Sequence, residues 1–122
     1  MLIGELAQQA GTSTRTLRYY EQHGLVRARR STNGYRVYDE TELPVVRQIR
    51  RLLDDGFDLD DIRPFVTCLR AGNSSGDGCP DSVAVLRRKL DEVDDALTRL
   101  TALQAELRLR LAGAGKPACE FG

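Results

Sequence analysis

Ser13-Thr14-Arg15-Thr16-Leu17-Arg18-Tyr19-Tyr20-Glu21-Gln22-His23-Gly24-Leu25 is the stretch whose reading decides the fold. Ser13, or Thr12 before it, has the short polar side chain that caps a helix. The helix would carry Arg15, Leu17, Arg18, Tyr19, Tyr20 and Glu21 and stop at Gly24. His23 then sits at a helix end, where a polar or charged residue is ordinary. Upstream, Ile3, Leu6, Ala7 and Ala10 recur at helical spacing until Gly11 interrupts. Two short helices joined by a Gly-containing turn make a helix-turn-helix. Leu6 and Leu17 belong to the core that such a pair encloses.

Downstream the composition changes. Val26, the run Arg27-Ala28-Arg29-Arg30, and Tyr35-Arg36-Val37-Tyr38 are β-type. Thr32-Asn33-Gly34 between them supplies turn chemistry, because Asn-Gly accepts positive φ cheaply. The expected element is a β-hairpin wing. Leu43, Val46, Ile49, Arg50, Leu52 and Leu53 then give one face of a helix closed by Gly56. Asp58 caps a shorter one with Leu59, Ile62, Phe65, Val66 and Leu69, in which Pro64 predicts a kink or a break. Asp54, Asp55, Asp58, Asp60 and Asp61 crowd this junction. Capping and solvation account for them better than a cation site.

Residues 71–78 form a loop rich in Gly, Asn and Ser, and Cys79-Pro80-Asp81-Ser82 offers a helix start. Val83, Leu86, Leu90, Val93, Leu97, Leu100, Gln104, Leu107 and Leu111 follow at alternating spacings of three and four. That is a heptad seam with one polar position. A helix over 80–111 would be roughly 48 Å long. The rest of so short a chain cannot cover such a stripe, so an antiparallel coiled coil in a homodimer is expected. Packing within one chain against the two preceding helices is the alternative. The fold class is therefore mainly α. A winged helix-turn-helix domain spans residues 1–70, a loop 71–79, a dimerisation helix 80–111 and a short tail 112–122.

The 122 residues carry 18 basic and 18 acidic groups, a formal net charge of zero. The balance hides an asymmetry. Residues 1–53 hold nine Arg against five acidic residues, and residues 54–122 hold nine basic against thirteen acidic groups. A basic first half suits nucleic-acid phosphates. The predominance of Arg suits bidentate contact, though genome base composition produces the same bias. No signal peptide and no membrane-spanning apolar run is visible, so a cytoplasmic location is expected. Three cysteines without a secretion signal argue against a disulfide framework. One His, no Gly-rich phosphate loop and no Ser/His/Asp spacing argue against an enzyme.

In combination, Ile3-Gly4-Glu5-Leu6-Ala7, the run from Ser13 to Leu25, and Asn33-Gly34-Tyr35-Arg36-Val37-Tyr38 closely resemble the MerR family of bacterial transcriptional regulators. The resemblance extends over nearly the whole chain. It implies homodimers on a pseudo-palindromic promoter operator, which distort the DNA to control transcription by RNA polymerase. Such control is indirect readout, because bending energy is part of it. The start of the second helix would enter the major groove, where Ser13, Thr14, Arg15 and Thr16 reach base edges. Base reading falls best to Thr14, Arg15 and Thr16. Arg18 is placed for phosphate. Tyr20 would offer its hydroxyl to phosphate while its ring supports the wing. Tyr35 and Arg36 would reach flanking backbone or minor groove, with Arg29 and Tyr38 completing the set. Tyr19 is either a DNA contact or buried packing, with packing the commoner outcome. Arg27, Arg29 and Arg30 are either phosphate contacts or a solvated strand edge. Most such contacts position the protein rather than specify sequence.

The effector is a separate matter. By the resemblance, Cys79 falls where thiolate ligands sit in metal-sensing relatives. Facing Cys119 of a partner chain, it would suit a soft ion such as Cu(I), Hg(II), Zn or Cd. Cys68 is a third ligand or a small buried hydrophobe. The tail departs from the metal-sensor pattern, since residues 112–118 hold no ligand. Four closely spaced cysteines are absent too, which weakens an iron–sulfur reading. A thiol redox response, an organic ligand and no effector at all stay open. The tail leaves little room for a large ligand pocket. An architectural or excisionase-like DNA-binding module is the alternative function, and the long seam disfavours it.

Overall fold

The computed structural model describes residues 1–114. Five helices and one small hairpin follow in the order α1 (Ile3–Ala10), α2 (Thr14–Gln22), β1 (Arg29–Arg30), β2 (Arg36–Val37), α3 (Glu42–Asp54), α4 (Leu59–Arg70) and α5 (Pro80–Ala114). The mainly helical fold, the hairpin and the long last helix are as the sequence predicts. Residues 115–122, including Cys119, lie outside the described residues.

The chain forms two units, Met1–Val85 and the remainder from Leu86. The first takes in the loop and the first turns of α5, so it extends past the expected boundary at residue 70. Its core gathers Leu6 from α1, Leu17 from α2, Val46 and Ile49 from α3, and Ile62 and Phe65 from α4, all buried. Leu25, Val26 and Tyr38 complete it from the wing's roots.

The α1–α2 turn follows from Gly11, whose φ of 68° is the left-handed region that a Cβ disfavours. The Thr12 N–H returns to the Ala7 carbonyl at 2.9 Å. Arg50 of α3 donates through Nη1 to the Ala10 carbonyl at 2.6 Å, placing a cation at the negative end of α1. Ser13 caps α2, its Oγ accepting the Thr16 N–H at 3.1 Å.

The hairpin is shorter than expected, with Arg29 opposite Val37 and Arg30 opposite Arg36. Only Gly34 in the turn takes positive φ, at 83°, so Asn33 does not share the strain. The Ser31 N–H to Tyr35 carbonyl bond at 2.7 Å closes the tip. At its base, the Met1 and Tyr38 backbones bond reciprocally, at 2.6 and 2.7 Å.

Asp58 and Asp61 form a reciprocal capping box at the start of α4, so part of the acidic cluster is spent on backbone N–H groups. Pro64 does not break the helix. It lies in the second turn, and the carbonyl left without a donor belongs to exposed Asp60, which water can satisfy. A buried ion pair fastens the far side. The Arg70 guanidinium grips Glu42 in a bidentate contact at 2.7 Å and also donates to the Leu25 carbonyl at 2.9 Å. Glu42 further accepts the Arg27 N–H at 2.6 Å.

One expectation is overturned here. Cys68 and Cys79 form a disulfide, where the sequence argued against one. Its physical basis is local: the 71–78 segment folds back onto α4 and brings Cys79, the residue before α5, beside Cys68.

In the second unit, α5 presents Leu90, Val93, Leu97, Leu100, Leu107 and Leu111 to solvent in the single chain, and Leu103 with them. Val83, which belongs to the first unit, and Leu86, which opens the second, are half-buried. Exposed Leu103 stands beside Gln104, so the seam's polar position has an apolar neighbour that the heptad reading missed. The helix continues to Ala114, past the expected end at Leu111.

Candidate nucleic-acid interface

The first turn of α2 is the natural reading edge, and its cap decides which side chains are free. The Ser13 and Thr16 hydroxyl oxygens are 2.8 Å apart. Both residues are thus engaged with the helix start, while Thr14 is half-buried and Arg15 points its charge into solvent. Of the expected base readers, Arg15 is the most available and Thr16 the most constrained. Arg18, one turn on, is exposed.

Arg18 shares one open groove, of about 480 Å³, with Tyr35 and Arg36 of the wing and residues 2–5 at the start of α1. Tyr35 is 67% exposed at the wing tip. Arg36 donates to Glu21 at 2.6 Å, an ion pair that leans the wing on α2. Arg29 pairs with Asp39 at the exposed base of the hairpin. The Arg29–Asp39 pair is exposed on both sides and contributes little, so a phosphate can replace Asp39.

The adjacent tyrosines exchange their expected places. Tyr19 is 48% exposed, its ring edge-on to His23 at a centroid distance of 4.4 Å. Tyr20 is buried, with Arg50 and Asp54 of α3 near its hydroxyl, so it supports α3 rather than the wing. The reason is helical periodicity: Tyr20 lies three residues after the core residue Leu17 and shares its face. Tyr38 also needs correcting as a DNA-facing residue. It is 1% exposed, because the wing's base folds it into the core. Burial raises the phenol pKa of both Tyr20 and Tyr38 above the ordinary 10.0. For Tyr38, nearby Glu21 adds to the rise, while Arg36 and Arg18 oppose it.

The metal reading of Cys79 is not supported in this state, because its sulfur is bonded to Cys68. Among the described residues, no three metal-donor side chains come together. Cys68 is likewise neither a free ligand nor a plain core hydrophobe.

Comparison with known proteins decides the family. The family model described as "MerR HTH family regulatory protein" matches residues 1–67, and that described as "MerR, DNA binding" matches residues 43–109. The chain belongs to the MerR family. The HTH-type transcriptional regulator HmrR of Rhizobium leguminosarum bv. viciae is 32% identical over 107 residues, covering 88% of this chain and 81% of that protein. The nodulation protein NolA of Bradyrhizobium elkanii is 36% identical over 107 residues, covering 87% of this chain. The chain spans only 44% of NolA's length. The crystal structure of the transcription regulator PbrR691 from Ralstonia metallidurans CH34, in complex with lead(II), superposes with a TM-score of 0.70. It is 32% identical, and the match covers 88% of this chain and 83% of that one. This MerR-family chain is a DNA-binding transcriptional regulator. No helix among the described residues is long and apolar enough to cross a membrane.

Sequence reasoning missed three fastenings of the interface: Arg36 to Glu21, Arg50 to α1, and Arg70 to Glu42. A signal existed for the second, since α1 ends without a basic residue of its own. The other two join residues 15 and 28 positions apart, which no local pattern encodes.

Proposed function

We propose that two copies of the chain bind one pseudo-palindromic promoter operator in the cytoplasm and distort it, setting how RNA polymerase uses the promoter. Each copy presents α2 to the major groove. Arg15 reads base edges there, with Thr14 beside it and Ser13 and Thr16 holding the helix start. Arg18, Tyr35, Arg36 and Arg29 take the flanking phosphates, and exposed Tyr19 adds its hydroxyl. The two copies join through Leu90, Val93, Leu97, Leu100, Leu107 and Leu111, with Val83 and Leu86 at the seam's start.

The observation that supports this best is the shared groove of Arg18, Tyr35 and Arg36. It brings cationic and phenolic donors from α2 and the wing together around one groove, with Glu5 of α1 also at its edge. Phosphate contacts of this kind release counterions, which makes affinity fall with salt. Replacing Arg18 by Ala is expected to weaken binding to all duplexes and to reduce the salt slope by about one unit. A titration of affinity against salt checks it, and an unchanged slope refutes the phosphate role.

A further inference from the structure

Cys68 and Cys79 carry chemistry that DNA binding does not use. Cys68 lies on the buried face of α4, and Cys79 is the cap of α5, its carbonyl accepting the Val83 N–H at 3.0 Å. Their Cα atoms are 5.9 Å apart, inside the window a disulfide spans.

Contacts other than the bond hold the two residues together. The Asn73 side-chain amide donates to the Cys68 carbonyl at 2.9 Å and lies 3.6 Å from the Cys79 sulfur. Gly76 is pressed onto α4 so closely that a Cβ there would stand 2.8 Å from the Phe65 carbonyl oxygen. The Ser75 carbonyl oxygen lies 3.7 Å from the Cys68 sulfur, ready to accept from a thiol. These contacts lie outside the sulfur–sulfur bond and bring the two residues within reach of each other.

The sulfurs differ in access. Both cysteines border one groove with Arg63, Thr67 and Asp81, but Cys68 is only 1% exposed at its floor whereas Cys79 is half-exposed. A reagent in solution meets Cys79 first.

We propose that Cys68 and Cys79 are a reversible dithiol–disulfide couple, operated by low-molecular-weight disulfides, that ties the start of α5 to α4. The Cys79 thiolate attacks one sulfur of an oxidant such as glutathione disulfide. That forms a mixed disulfide and expels one glutathione thiolate. The Cys68 thiolate then attacks the Cys79 sulfur and expels the second. One sulfur–sulfur bond breaks in the oxidant and one forms in the protein. Two electrons pass from the cysteines to glutathione, and the two protons the cysteines lose end on the two glutathione thiols. Excess glutathione reverses both steps. Where disulfides do form in reducing compartments, they are transient and redox-sensing. Closing this one fixes the first turn of α5 on the DNA-binding unit, so DNA affinity depends on it. Only this last clause rests on the DNA-binding reading.

The test uses the full chain with Cys119→Ser, leaving two thiols. The protein is equilibrated at defined ratios of glutathione to its disulfide, acid-quenched, alkylated and weighed. Both thiols should disappear together, with the ratio of oxidised to reduced protein proportional to glutathione disulfide and falling as the inverse square of the glutathione concentration. Affinity for a duplex selected from a random-sequence pool, read by fluorescence anisotropy, should change by about fivefold or more over the same ratios. The same chain with Cys79→Ser should bind equally at every ratio. Full alkylation at all ratios, or a mixed disulfide that never resolves, overturns the couple. Paired thiols with constant affinity overturn its control of binding. A protein that binds no duplex at any ratio contradicts the DNA-binding reading, and the thiol measurement still decides the couple.

Discussion

Arg50 shows how one side chain sets a site it never enters. Its hydrogen bond to the Ala10 carbonyl ends α1 and fixes the turn from which α2 departs. Gly11 makes room for it, since a Cβ there would lie 3.0 Å from the Arg50 guanidinium, at a φ of 68°. Gly11→Ala is therefore expected to lower stability by about 1–2 kcal/mol, measured by urea unfolding. Arg70 carries more. Removing it strands the buried Glu42 carboxylate, so Arg70→Met should cost about 3–5 kcal/mol in the same measurement. Tyr20 and Tyr38 give the stability a pH dependence. Their folded pKa values are raised, so their contribution is full below pH 10.0 and is lost as pH rises through the folded values. Tyr38→Phe should show a shallower alkaline loss of stability, seen by denaturant titration on either side of that pH. At this scale the sequence is legible where chemistry is local. Ser13 announces its cap, and Asp58 its box. The exchange of Tyr19 and Tyr20 was also available from the three-residue step after Leu17. Glu42 with Arg70 was not, because their meeting depends on how α3 packs on α4.

Among the elements, α2 depends most on its ends. Ser13→Ala should destabilise the chain by about 1 kcal/mol and should release Thr16, whose hydroxyl the cap now occupies. Thermal unfolding reads the first effect. The wing is legible in type but not in length. Its β-type residues and Asn-Gly turn are present, but strands of two residues bury too little to hold themselves. The hairpin instead stands on Tyr38, which enters the core, and on the Arg36–Glu21 pair. Those long-range supports leave no periodic trace, which is why Tyr38 reads as a surface residue from sequence alone. The 71–78 segment misleads in the opposite sense. Its Gly, Asn and Ser content suggests an unconstrained loop, yet Gly76 is there because nothing larger fits against Phe65.

Across the whole molecule, zero net charge divides into a basic first half and an acidic second half. Two arginines of the basic part, Arg18 and Arg36, line the groove between α2 and the wing. The acidic part includes α5, where Arg88 and Lys89 pair with Glu92 and Arg110 with Glu106 along the helix surface. What α5 leaves unsatisfied is apolar, from Leu90 to Leu111. An exposed stripe of that kind marks an association surface, and family membership sets the DNA-binding role of the other unit. The central claim is that two such chains occupy one operator. Sedimentation equilibrium of the chain bound to a selected duplex tests it most directly. Two chains per duplex are predicted, reduced to one when Leu97 and Leu100 are both replaced by Asp. One chain per duplex for the unaltered protein would contradict the account.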